Sequence, residues 1–125
     1  MIDKKIKNFI KKQALENAPN ECCGFVVKEN DSFKCVPCYN IAADKINNFK
    51  ISSLEYLRIK NKYQIFYIYH SHTNENCDFS EMDENCSENL NLPIILYNIQ
   101  KNIFKIHESI SIDSNLIGRF YEYRK

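Results

Sequence analysis

Residues 64–83 read QIFYIYHSHTNENCDFSEMD, and this stretch decides the fold. Its first six residues, Gln64 to Tyr69, form an apolar and aromatic run that predicts a central β-strand. The strand brings His70 and His72 to its carboxyl end. Residues two apart in a strand face the same side, so both imidazoles can reach one ligand while Ser71 points away from it.

The second half of the stretch supplies a carboxylate. Ser80 is a typical helix N-cap, which places Asp83 in the first turn of a helix, where negative charge is favourable. Far upstream, Glu21 stands at the start of a predicted buried strand. Two imidazoles and one carboxylate are zinc-ligand types, and three protein ligands leave a fourth position open for water. A nearby carboxylate is a suitable base for that water, so the sequence predicts a catalytic zinc site.

The remaining elements predict a mixed α/β fold. Apolar residues recur at helical spacing over residues 2–14, and Pro19 ends that helix. Residues 22–38 are typical of a hairpin, and Ser52 is typical of the cap of another helix. Two further strands are predicted at 93–97 and 102–107. We therefore expect a mixed sheet flanked by helices.

Composition limits the classes of partner. A chain of 125 residues favours one domain, and 44% hydrophobic with 26% charged residues is typical of a globular protein. No Lys or Arg occurs between Lys62 and Lys101, although six acidic residues lie there, and such a negative field repels nucleic acid. No apolar run approaches the ~20 residues of a membrane span, and no signal peptide is recognisable.

The six cysteines predict buried thiols in a reducing compartment. Cys35 and Cys38 have the spacing of a zinc knuckle but lack a second pair. A nucleobase deaminase needs H-x-E before P-C-x-x-C, whereas Pro37-Cys38 precedes the histidines, so this class is excluded. A cysteine hydrolase that pairs Cys22 or Cys23 with His70 remains an alternative, although neither thiol has an obvious activating context.

The candidate site resembles the signature of the JAMM (MPN-type) metalloproteases. That signature is a distant Glu followed by H-x-H, seven residues and S-x-x-D. In this chain the positions are Glu21, His70, His72, Ser80 and Asp83. The likeness is specific because separated identities and two spacings all agree. It implies an MPN (JAB) metalloprotease-like fold, with a mixed sheet and helices in a cytidine-deaminase-like layering.

The resemblance also implies a function, namely a zinc-dependent peptidase or isopeptidase that hydrolyses an amide bond with zinc-activated water. His70, His72 and Asp83 would bind one Zn²⁺ ion. Glu21 would be the general base and then the acid for the leaving amine, and Ser80 would hydrogen-bond the oxyanion. A catalytically silent MPN scaffold is the alternative, although such scaffolds typically lose ligands that this chain keeps.

Stretches outside the motif are similar to the N-terminal domain of the phage tail assembly protein K family. They lie at 21–25, 36–42 and 49–52, and again at Cys86 and 92–93. The resemblance implies a peptide or protein substrate, other phage tail-tip proteins as partners, and a location in the host cytoplasm during assembly or in the virion tail.

Two expectations concern the ends of the motif and of the chain. In the family a cysteine peptidase of the NlpC type usually follows, so residues 1–112 are expected to form the metalloprotease domain and 113–125 a tail resembling the linker to it. The family usually has Pro where this chain has Thr73. A Pro would stiffen the turn, so Thr73 is expected to loosen the loop after His72.

Overall fold

The computed structural model describes residues 2–109. Three helices and five strands follow one another along this part of the chain. In order they are α1 (Lys4–Asn17), β1 (Cys23–Glu29), β2 (Ser32–Cys38), α2 (Ser53–Lys62), β3 (Gln64–His72), α3 (Glu81–Leu90), β4 (Ile94–Asn98) and β5 (Ile103–His107). The mixed α/β fold predicted from the sequence is confirmed.

The strands form one sheet in the order β2-β1-β3-β4-β5. All neighbours are antiparallel except β3 and β4, which are parallel and joined through α3. The carboxyl ends of parallel strands meet at the same edge of a sheet, and here His72 is the register partner of Asn98. Two distant polar residues are thereby placed side by side.

The two faces of the sheet bury separate apolar clusters. On one face α1 packs its Ile6, Ile10 and Ala14 against Tyr69 and Ile95. Asp3 caps this helix by accepting the N–H of Ile6, and the helix ends at its C-cap Ala18, just before Pro19.

The opposite face is covered by α2, α3 and the segment before α2. Its cluster includes Phe25, Phe49, Ile59 and Ile68. Because successive strand residues alternate between faces, His70 lies on this second face with Ile68.

The predicted helices and strands are present, with one difference at the site. The histidines were expected just after the central strand, but β3 runs on to His72. The parallel pairing with β4 extends to Asn98 and keeps the strand regular to that point.

The expected domain boundary after residue 112, the tail at 113–125 and its linker-like segment lie outside the described residues. Among residues 2–109 no helix is both long and apolar enough to cross a membrane.

Candidate metal centre

The candidate centre is anchored where β3 meets the start of β1. The Ser71 hydroxyl accepts a hydrogen bond from the N–H of Cys22 at 2.8 Å, and the N–H of Ser71 donates to the Cys22 carbonyl at 3.2 Å. Ser71 therefore points away from the two histidines, as predicted. The same pair of bonds fixes the chain next to Glu21 and holds that residue beside the end of β3.

Both imidazoles are oriented by backbone carbonyls. The Nδ1 atom of His70 lies 2.9 Å from the Ile95 carbonyl oxygen, and Nδ1 of His72 lies 2.9 Å from that of Asn76. A carbonyl can only accept, so each Nδ1 carries the proton. In the neutral imidazole the Nε2 atom then presents a lone pair to the site, which is how metal-binding histidines are usually held.

Asp83 completes a cluster of converging lone pairs. Its Oδ2 lies 3.1 Å from Nε2 of His70 and 3.5 Å from Nε2 of His72. Two ligand atoms bound to one tetrahedral zinc at ~2.05 Å are about 3.3 Å apart, so these separations suit such an ion. Burial alone would raise the pKa of Asp83, but the protonated forms of His70 and His72 donate hydrogen bonds to its carboxylate and hold that pKa well below its usual range.

Glu21 closes the site from the other side. Its carboxylate is buried, and Oε2 lies 3.9 Å from Nε2 of His72. Ligand atoms of Glu21, His70 and His72 all lie within 4.8 Å of one another. Burial raises the pKa of Glu21 to about 8, with the nearby carboxylate of Asp83 adding to the shift and His72 opposing it. The other oxygen, Oε1, is buried and has no hydrogen-bond partner within residues 2–109.

The electrostatics of His72 follow from the same arrangement. Burial would lower its pKa, yet the hydrogen bonds to Asp83 and to the Asn76 carbonyl, with the charge of Glu21, raise it. Two carboxylates thus face the Nε2 atoms of two imidazoles in a buried space. Such a cluster is favourable only when a proton or a cation lies between the lone pairs.

Ser80 lies at the start of α3, as predicted. Its hydroxyl accepts the N–H of Asp83 at 3.0 Å, while its own N–H donates to Oδ2 of Asp83 at 2.9 Å. This reciprocal capping box fixes the direction of the Asp83 carboxylate. Within the described residues the Ser80 hydroxyl donates to no protein atom, so its proton is available to an incoming group.

Two asparagines that support the site were not predicted from the sequence. Asn98 is fully buried and donates at 2.8 Å to the carbonyls of both Asn74 and Asn76. It therefore holds the carbonyl that orients His72. Asn40 donates to the Glu21 carbonyl at 3.1 Å. For Asn98 the sequence offered one signal, namely an Asn directly after a predicted apolar strand, at the edge of the sheet where the histidines lie.

Thr73, where the family usually has Pro, makes two hydrogen bonds. Its hydroxyl donates to the Pro19 carbonyl at 3.0 Å, and its own carbonyl accepts from Gln100 at 3.0 Å. The side chain therefore ties the loop after β3 to the segment before Glu21. Whether Thr73 loosens this loop relative to Pro stays a prediction.

The thiols are not arranged for nucleophilic catalysis. All six cysteines are free, and Cys22, Cys23 and Cys35 are buried. Burial raises the pKa of Cys22 to about 11 and that of Cys23 higher still. A thiol is nucleophilic as the thiolate, so these shifts disfavour the cysteine hydrolase alternative.

The fold is that of a JAB/MPN domain. The profile of the family described as prokaryotic homologs of the JAB domain matches residues 4–109. The chain belongs to this family.

A phage tail protein is similar to part of this chain. The tail tip assembly protein K of Escherichia phage N15 is 30% identical over 66 residues, which are 53% of this chain and 27% of that protein. The matched part is thus only about a quarter of the length of that relative.

Two solved structures share the fold. One is a solution structure of a protein from Desulfitobacterium hafniense, with a TM-score of 0.64 at 17% identity, covering 97% of each chain. The other is the crystal structure of a JAB1/MPN domain protein from Archaeoglobus fulgidus, with a TM-score of 0.53 at 16% identity, covering 82% of this chain and 83% of that one.

Proposed function

We propose that this chain is a zinc-dependent peptidase or isopeptidase of phage-tail type. The observation that carries the proposal is the convergence of two Nε2 atoms and the Asp83 carboxylate, with Glu21 beside them. When both imidazoles are neutral, the lone pairs of their Nε2 atoms face the Asp83 carboxylate, which is unfavourable. A divalent cation relieves this repulsion, and nitrogen and carboxylate donors suit zinc.

His70, His72 and Asp83 would hold the ion. A zinc ion bound there supplies a Lewis acid that polarises a carbonyl and lowers the pKa of water to about 7. The backbone carbonyls on both Nδ1 atoms fix the tautomers, and the capping box at Ser80 fixes the carboxylate. The protein thus holds the ligands in position before any substrate arrives.

Glu21 would move the proton. Its buried carboxylate lies next to His72, and burial raises its pKa to about 8, so the group holds a proton more strongly than an exposed Glu does. It would then give that proton to the leaving amine. The unpaired Oε1 atom is the oxygen best able to take it, since no protein donor of the described residues occupies it.

Ser80 would stabilise the oxyanion. Its hydroxyl already accepts from Asp83, which leaves its own proton as a donor at the edge of the site. A donor aimed at the developing negative charge strengthens as the charge forms, so it favours the transition state over the substrate.

The test uses Glu21→Gln, which keeps the shape of the side chain but removes its basicity. We expect retained fold and retained zinc, with peptidase activity lower by about 10²- to 10⁴-fold, the range of a general base. Zinc analysis and peptide hydrolysis are measured on the same preparation. Undiminished turnover would refute Glu21 as the base.

A catalytically silent scaffold in phage tail assembly is the second candidate. The similarity to a tail tip assembly protein favours it, and that similarity also supports other tail-tip proteins as partners in the host cytoplasm or the virion tail. Zinc content and peptide hydrolysis distinguish the two candidates, because a scaffold requires neither a bound ion nor the hydrolysis of a peptide.

Residues 1–112 are proposed as the catalytic domain. Residues 113–125 are proposed as a tail resembling the linker to an NlpC-type domain.

A further inference from the structure

An apolar cavity opens beside the candidate metal centre. It has a volume of about 450 Å³ and lies between α2, α3 and the segment 48–51. Its apolar wall consists of Phe25, Phe49, Ile51, Tyr56, Cys86 and Leu90. Small-ligand sites usually occupy about 300–1,000 Å³, so this cavity is large enough for one bulky side chain.

The cavity adjoins the candidate centre. Asp83 belongs to its lining, and the ring of Phe49 packs on the ring of His70 with centroids 4.8 Å apart. Phe49 therefore forms part of both the cavity wall and the packing of a predicted metal ligand. A peptide whose amide binds at the candidate centre would have a neighbouring side chain close to this cavity.

The residues that line the cavity also favour an apolar side chain over a charged one. Apart from Asp83 at the inner end, the charged side chain of the lining is Lys50, and the rim consists of neutral polar residues such as Ser53 and Asn89. A charged group entering the wall region would lose its hydration without a partner. An aliphatic or aromatic side chain would exchange water for Ile51, Tyr56 and similar contacts.

We propose that this cavity binds a bulky apolar side chain of the peptide substrate, next to the amide that is hydrolysed. The assignment rests on the proposed function and adds its substrate preference. A glycine at this position of the substrate has no side chain and would leave the cavity unfilled.

The test compares three small probes by nuclear magnetic resonance. N-acetyl-leucine amide and N-acetyl-phenylalanine amide are titrated into the full chain, with N-acetyl-glycine amide as the reference. We expect saturable shifts at the backbone amides of Tyr56, Cys86 and Leu90 with the first two probes. The glycine probe should bind at least about tenfold more weakly, because it lacks the apolar side chain.

Two tryptophan variants on α3 locate the binding. Asn89→Trp fills the rim of the cavity and should weaken leucine-probe binding by about tenfold or more. Glu84→Trp, on the same helix but outside the lining, should leave it unchanged. Equal binding of the glycine and leucine probes, or undiminished binding to Asn89→Trp, would overturn the assignment.

Zinc content of the same samples separates this inference from the proposed function. Zinc bound with no probe binding shows that the cavity assignment alone is wrong. Probe binding without any zinc overturns the proposed function, and the assignment to its substrate with it.

Discussion

The two faces of β3 differ in chemistry although they share one backbone. Tyr69 lies on the face covered by α1, within a cluster of isoleucines, while His70 lies on the face toward α3, against Asp83. Both side chains are fully buried. Burial stabilises the first face at about 25 cal/mol per Å² of apolar surface, whereas the second face buries groups that lose hydration.

This contrast distinguishes the side of the sheet that maintains the fold from the side that carries the candidate metal centre. The face under α1 is apolar and needs no ion. The face under α3 places two carboxylates and two imidazoles where an apolar core would be more stable. Buried polar clusters of this kind are typical of functional sites, where stability is given up for reactivity.

The largest expected effect on stability comes from the apolar face. Ile10 is fully buried under α1, so Ile10→Ala should lower the free energy of unfolding by about 2–5 kcal/mol. Denaturant unfolding measures this, and the zinc content of the folded protein should not change.

Asn8→Ala is the matched control on the exposed side of the same helix. It should change the free energy of unfolding by no more than about 0.5 kcal/mol. A loss of zinc in Ile10→Ala while the protein is still folded would show that the two faces are not independent.

The next effect concerns the polar face. Asn98→Ala removes the amide that holds the carbonyls of Asn74 and Asn76, and the second of these orients His72. Loss of such a supporting contact typically weakens metal affinity about 10–100-fold. Competition with a zinc chelator measures the affinity.

Gln100→Ala provides the control for Asn98. Its amide also binds this loop, at the carbonyl of Thr73, but it is exposed and does not contact the acceptor of His72. Zinc affinity should fall much less than in Asn98→Ala. Equal losses in the two variants would mean that general loop order, rather than orientation of His72, controls the site.

The smallest effect is expected at Thr73. Thr73→Val removes one exposed hydrogen bond to Pro19 and should cost about 0.5–1.5 kcal/mol of unfolding free energy. Thr73→Ser keeps the hydroxyl and should retain most of that stability. Thermal unfolding compares the two variants, and equal melting temperatures would contradict the role of this bond.

The sequence predicted the polar face through local rules. The alternation of β3 puts His70 and His72 together, and the capping residue Ser80 sets the position of Asp83 on α3. The distant Glu21 was proposed from its place at the start of a predicted buried strand and also matched the family signature, although no local period connects it to β3.

The supporting contacts could not be predicted in the same way. Asn98 acts on a loop 22 and 24 residues away through carbonyl groups that every residue carries. The identity of a residue says nothing about which backbone carbonyl it will meet. The bond from Thr73 to Pro19 was equally unpredictable, because it depends on how the loop after β3 meets the segment before β1.

Zinc content shows whether His70, His72 and Asp83 hold a metal ion. Wild-type protein and His70→Ala are dialysed against the same zinc-buffered solution, and the metal is measured by mass spectrometry on samples whose fold is checked by circular dichroism. We expect about one zinc per wild-type chain and none in the variant. Equal zinc in both proteins, or none in either, would contradict this expectation.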